Sequence, residues 1–242
     1  MNYADNPYRT WGTIAAQADT SERARFIRLT YLHLAGAVLA FMALEAFLLS
    51  LPGIGALISQ VMTARFGWLI VLGAFMGVSY VANMWASSST SIGMQYLGLG
   101  LYVVAEAVIF VPLLYVAATF APEGSNPIAM AGLLTLVVFT GLTGIVFMTG
   151  ADFSFLRTAL MLGGVVAMGV IVCALLFGFQ LGLIFIAAMI ALAGGYILYD
   201  TSNVLHHYHI GQHVAASLAL FASVALLFWY MLQLVLSLTS RD

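Results

Sequence analysis

Tyr96–Phe120 reads YLGLGLYVVAEAVIFVPLLYVAATF. Apart from Glu106 near its middle, the stretch offers water almost nothing. A helix needs about 20 such residues to cross a hydrocarbon slab of ~30 Å, and this run is longer. Six more apolar runs lie on either side of it, near Leu29–Leu51, Gly67–Trp85, Ile128–Thr149, Phe155–Phe177, Leu181–Leu205 and Val214–Leu238. The ten-residue alternation of a membrane barrel is absent from the sequence. The pattern predicts an all-α membrane protein, a seven-transmembrane-helix bundle.

Composition agrees. The chain is 63% hydrophobic and 7% charged, has no lysine, and carries a formal net charge of −2. A soluble domain has roughly a quarter charged residues. Such a small net charge gives no grounds for nucleic acid or acidic partners. Three segments are expected: a polar cytoplasmic tail over 1–28, the seven-helix domain over 29–238, and a short tail over 239–242. The first lacks the apolar core and cleavage site of a signal peptide, and Thr20-Ser21-Glu22 marks a helix start in it. Arg9, Arg23, Arg25, Arg28 and Arg157 fall on the side of the N-terminus, Arg65 and Arg241 on the other. The positive-inside rule then places the N-terminus in the cytoplasm.

The connections are short. Leu51-Pro52-Gly53 closes the first span, and the turn at Gly178-Phe179-Gln180 is tight enough to make spans five and six antiparallel neighbours. Asp152 is placed to cap span five. Gly73 and Gly77, Gly141 and Gly144, Gly163, Gly164 and Gly169, and Gly194 and Gly195 read as small-residue surfaces for close helix packing. Cys173, the lone cysteine, reads as a small apolar filler.

Three carboxylates lie inside the runs: Glu45, Glu106 and Asp200. An acid in lipid costs at least ~2.5–3.5 kcal/mol and so faces a bundle interior or a wet cavity. Glu106 has apolar stretches on both sides and no interfacial escape. Asp200 either marks a helix end at the interface or faces the bundle. The apolar pattern resumes at Val204, which favours the second. Glu45 sits in the outer half of span one. No basic side chain lies deep in any span, so raised pKa values or access to water and cations must accommodate these acids. Glu106 and Asp200 differ in depth by ~10 Å at 1.5 Å per residue, which suits successive stations of a cation or proton path. His206, His207, His209 and His213 gather in the loop before span seven. They read as an ordinary interfacial loop, a pH-responsive patch, or a metal site; His209 and His213 have i, i+4 spacing, with Gly211 between them. His33 reads as a hydrogen-bonded helix residue. An intramembrane serine protease needs a serine and a histidine on spanning helices. The serines here cluster in loops and His-Glu-x-x-His is missing, so no enzyme, cofactor or metal is expected.

Arg25-Phe26-Ile27-Arg28-Leu29-Thr30-Tyr31, Ala151-Asp152-Phe153-Ser154-Phe155-Leu156 and Ile197-Leu198-Tyr199-Asp200-Thr201-Ser202-Asn203-Val204-Leu205-His206 resemble the Bax inhibitor (TMBIM) family. Ala105-Glu106-Ala107, followed by Pro112, is similar to its third-span acidic segment. The resemblance implies six helices around a central one, a bacterial inner-membrane location, and a pH-sensitive calcium leak through an Asp pair on spans six and seven. Asp200 matches the first member. The second should fall near Ala219–Val224, where Ser223 is the polar candidate, so a proton-sharing dyad is missing there. The branch that modulates the membrane protease FtsH also departs from the dyad, and resembles this chain at Ser202-Asn203 and Ser240-Arg241-Asp242. Two functions are therefore expected. The first is a cation pathway through Asp200, Glu106, Glu45 and Ser223, with the lipid bilayer, calcium and protons as partners. The alternative is a non-conducting modulator of a membrane-anchored protease.

Overall fold

The computed structural model describes residues 13–64, 66–88, 91–122 and 124–239. A 3₁₀ turn, Ala15–Gln17, precedes eight α-helices: α1 Thr20–Ser50, α2 Ile54–Thr63, α3 Gly67–Ala86, α4 Ile92–Thr119, α5 Pro127–Thr149, α6 Leu156–Phe177, α7 Leu183–His206 and α8 His213–Thr239. All but α2 are long and apolar enough to cross a membrane. The all-α, seven-span architecture read from the sequence is the one observed.

Helix ends follow local chemistry. Asn126 Oδ1 accepts the Ala129 N–H (3.0 Å) at the start of α5, where Pro127 occupies the first turn, and Ser91 Oγ accepts from Met94 N at the start of α4. Gly150 (φ 61°) and Gly178 (φ 74°) stop α5 and α6 in the left-handed region, which glycine enters without a Cβ clash. Asp152 does not cap α6. That helix starts at Leu156 after an uncapped Phe155, and Asp152 instead accepts from Ser154 N (2.8 Å) within its own loop.

Two elements depart from the sequence boundaries. α1 has 31 residues, or ~46 Å at 1.5 Å each, so its first turns stand outside the slab. The helix starts at Thr20, where the Thr20-Ser21-Glu22 signal placed it, and Glu22, Arg23, Arg25 and Arg28 continue the first span as a helix ahead of the boundary expected at residue 29. Between α1 and α3 lies α2, with 10 residues, ~15 Å and too short to span.

The seventh span is the centre. α8 packs against α1, α3, α4, α5 and α7. Phe221 of α8 meets Phe41 of α1 and Tyr102 of α4 edge-on, and Phe110 of α4 stacks on Phe228 (5.7 Å) and meets Trp229 edge-on (4.9 Å). α3 and α4 approach most closely where Gly98 faces the backbone of Ala82 and Ala86 with no room for a Cβ.

The small-residue surfaces divide. Gly163, Gly164 and Gly195 seat Leu192, Tyr196 and Leu160, which locks α6 to α7. A Cβ at Gly73, Gly77, Gly141, Gly144 or Gly169 would meet nothing within 4 Å. Those glycines open outward and do not pack helices of this chain together, contrary to the sequence expectation. Cys173 is also exposed on the outer surface of α6, not filling the interior.

Candidate functional site

The three acids all turn inward. Glu45 is 5%, Glu106 6% and Asp200 8% exposed. Because successive spans alternate in direction, α4 begins and α7 ends at the face where the N-terminus lies. Asp200 is six residues from the end of α7, ~9 Å deep, and Glu106 is fourteen residues into α4, ~21 Å deep. The order of depths matches the sequence expectation.

Asp200 sits at the contact of α7 with α8. Ser223 Oγ donates to Asp200 Oδ2 at 2.5 Å, with both side chains buried. The serine thus occupies the position where the family resemblance implies a second aspartate. Three tyrosines complete the surroundings: Tyr102 of α4, Tyr196 of α7 and Tyr208 of the α7–α8 loop all interact electrostatically with Asp200. Burial, then the Asp200 and Tyr199 side chains, raise the Tyr208 pKa, which keeps that phenol a neutral hydrogen-bond donor at any ordinary pH.

Tyr102 connects the two deeper stations. Its hydroxyl faces the Glu106 carboxylate one turn further along α4 and lies within electrostatic reach of Asp200. Tyr102 is thus the side chain common to the surroundings of Glu106 and Asp200. Tyr196 donates to Leu160 O (2.9 Å), which fixes it against α6. The tyrosines escaped the sequence reading, yet a signal was there: Tyr102 and Tyr196 each precede an acid by four residues, which puts hydroxyl and carboxylate on one helix face.

Glu45 differs. Neither of its carboxylate oxygens has a hydrogen-bond partner. A second group of buried hydroxyls lies next to Asp200: Tyr31 of α1 faces Thr143 of α5 and Thr201 of α7, and none of the three meets a partner in good hydrogen-bond geometry. Three helices bring them together, and no local pattern announces it.

The histidines separate. His206 Nε2 lies 3.1 Å from Gly150 O. His207 pairs with Asp152 at 3.1 Å. The backbone at His209 bridges to Ile14, with Ala15 N–H donating to Tyr208 O and Ile210 N–H to Thr13 O, both at 2.8 Å. His213 opens α8 and lies 4.9 Å, ring to ring, from His33. The four do not form one patch in the loop, and no group of three metal-ligating side chains is found among the described residues. His33 is hydrogen-bonded as read, its ring nitrogens 2.7 Å from Leu29 O and 2.8 Å from Tyr96 OH.

The loop before α6 is held to α7 through Asp152. Ser202 Oγ accepts from Phe153 N (2.8 Å) and donates to Asp152 Oδ1 (3.3 Å). The Ser154 N–H and His207 hold the Asp152 pKa down at about 2 against the desolvation that opposes them. Ser202, Asp152 and His207 share a cluster, but the histidine contacts the acid and not the serine, and Ser202 is fully buried.

A seven-span helical bundle with its last helix at the centre and three buried acids, two of them near tyrosines, is a membrane-embedded polar interior. The family described as "Inhibitor of apoptosis-promoting Bax1" matches residues 23–241, and the chain belongs to this Bax inhibitor family of multi-pass membrane proteins. An uncharacterized protein of Pseudomonas aeruginosa is 32% identical over 116 residues, 47% of this chain and 51% of that protein. The chain thus matches about half the length of this curated relative. No solved structure matches it.

Proposed function

We propose that this protein passes cations, calcium among them, in response to protons, along a line of sites from Asp200 through Tyr102 to Glu106 and Glu45. The observation that carries this reading is the buried Asp200–Ser223 pair, with Glu106 and Glu45 also buried in an interior without an arginine or lysine. Carboxylates there have two stable conditions, protonated or in contact with a cation. Oxygen ligands of this kind suit a hard divalent ion. The pathway involves no catalysis. On this reading the membrane is a bacterial plasma membrane, as the family resemblance implies, and arginine placement puts the N-terminus on its cytoplasmic side.

The test uses proteoliposomes loaded with a calcium dye. Asp200→Asn is expected to change the leak by about tenfold, the effect of ~1.4 kcal/mol on a barrier. A wild-type leak no greater than that of empty liposomes at both pH 6 and pH 8 overturns the proposal.

A second reading, a modulator of a membrane-anchored protease, is favoured by the outward-facing glycines. Gly73 and Gly77 on α3 and Gly141 and Gly144 on α5 leave room for a foreign helix, and small residues permit such close approach in lipid. Its test is co-purification with a protease from native membranes, lost on Gly73→Leu with Gly77→Leu. Recovery of no protease from native membranes counts against it.

A further inference from the structure

A furrow of ≈460 Å³ runs between α1 and α4 on the outside of the bundle, with His33 and Tyr96 at its polar end. Its floor is made by absences. Gly36 of α1 and Gly100 of α4 line it, with Ala40 and Val104 further in. A Cβ at Gly36 or Gly100 would meet nothing within 4 Å. These glycines therefore do not serve the contact of α1 with α4. A glycine inside a helix costs about 1 kcal/mol relative to alanine, and what it leaves here is a channel open to the bilayer.

The polar end holds one standing cation, Arg25, beside two imidazoles. His213 packs on His33, and Arg25 lies within electrostatic reach of His213. Arg25 is exposed, two turns nearer the membrane surface than His33. Among the described residues the single salt bridge joins His207 to Asp152, so no described carboxylate pairs with Arg25. His33 Nδ1 lies on Leu29 O and must carry a proton, so Tyr96 OH donates to Nε2 while the ring is neutral.

We propose that this furrow binds an anionic phospholipid, with its phosphate held by Arg25, His33, His213 and Tyr96 and one acyl chain lying over Gly36 and Gly100. Charge selects the headgroup, since basic side chains at a membrane surface attract anionic lipid. The apolar length of the furrow selects a ligand with a chain over free phosphate. The site faces outward and stands apart from the Asp200 interior.

The full-length protein, exchanged into detergent, is titrated with dioleoyl phosphatidylglycerol, dioleoyl phosphatidylcholine or glycerol phosphate, and retained molecules are counted by native mass spectrometry. Phosphatidylglycerol is expected to be retained over phosphatidylcholine, and glycerol phosphate not at all. Arg25→Gln with His33→Gln should shrink that preference by about fivefold, the share of the one standing cation removed. Arg25→Lys should keep most of it. Gly36→Leu, whose Cβ would meet nothing within 4 Å, should lower retention of both lipids and leave their ratio unchanged. Equal retention of the two lipids by the wild type, or a ratio that the double variant does not move, overturns the proposal. Binding of glycerol phosphate as tight as that of phosphatidylglycerol overturns it too, in favour of a site for free phosphate. Thermal unfolding of each variant separates loss of the site from loss of the fold.

Discussion

Asp200 and Glu45 are equally buried acids in one bundle, and their surroundings are opposite. Asp200 receives a hydrogen bond from Ser223 and lies among three tyrosines. Glu45 has two oxygens and no partner for either. A buried polar group without a partner costs about 1–3 kcal/mol on mutational scales. The bundle has therefore built a site at the α7–α8 contact and tolerates a liability in α1. Partnered acids read as designed positions. An unpartnered one reads as a place where a proton, a water or an ion supplies what the chain does not.

The comparison is sharpened most by adding the carboxylate that the family resemblance implies. Ser223→Asp places two carboxyls within hydrogen-bond reach, where they share a proton and titrate as a pair. The calcium leak of that variant should differ between pH 6 and pH 8 by at least about tenfold more than the wild type's, a barrier change of ~1.4 kcal/mol. An unaltered pH profile in the dye assay breaks the equation of Ser223 with the second acid position.

Removing the donor comes next. Ser223→Ala leaves Asp200 short of a partner in a closed place and should lower stability by about 1–3 kcal/mol, read as a fall in the thermal midpoint in detergent. Glu45→Gln removes no hydrogen bond, and its cost should stay within about 1 kcal/mol, of either sign, because desolvation of a neutral amide is the milder penalty. If Glu45→Gln costs more than Ser223→Ala in the same melting experiment, the contrast between the two acids is lost.

The smallest effect is local and lies outside the membrane. The Asp152 pKa is lowered to about 2. Its stabilising contribution is complete above the unfolded value of about 4 and is lost as pH falls from there through 2. Exchange of the Ser154 amide hydrogen, corrected for intrinsic rate, should accelerate across that window and stay level from pH 5 to 7. Asp152→Asn should make exchange faster at pH 6 and nearly indifferent to further acid.

How much of this was legible in the sequence varies with range. The helices were, because an apolar run of spanning length has few alternatives in lipid, where every backbone group must bond within its own segment. Glu45, Glu106 and Asp200 announced themselves as anomalies inside such runs. Ser223 was legible only as a gap in a resemblance. Tyr102 and Tyr196 were readable in principle, four residues before their acids. The Asp152 cap was misread because an Asx turn and a helix cap ask for the same residue type, and only the loop's path to Ser202 and His207 decides between them. The outward glycines were misread because small-residue spacing identifies a surface fit for close approach but not the helix that approaches it.

The sequence by itself determined that the chain enters the membrane, how many times it crosses, and which acids travel with it, since transfer from water to hydrocarbon acts on each residue wherever its neighbours come from. Tertiary structure alone decided that α8 is central, that Ser223 serves Asp200 with Tyr102 nearby, that Glu45 is left without a partner, and that a furrow with two imidazoles at its polar end opens between α1 and α4. Hydrogen bonds and packing act over a few ångströms, and only the folded chain says which distant residues come that close.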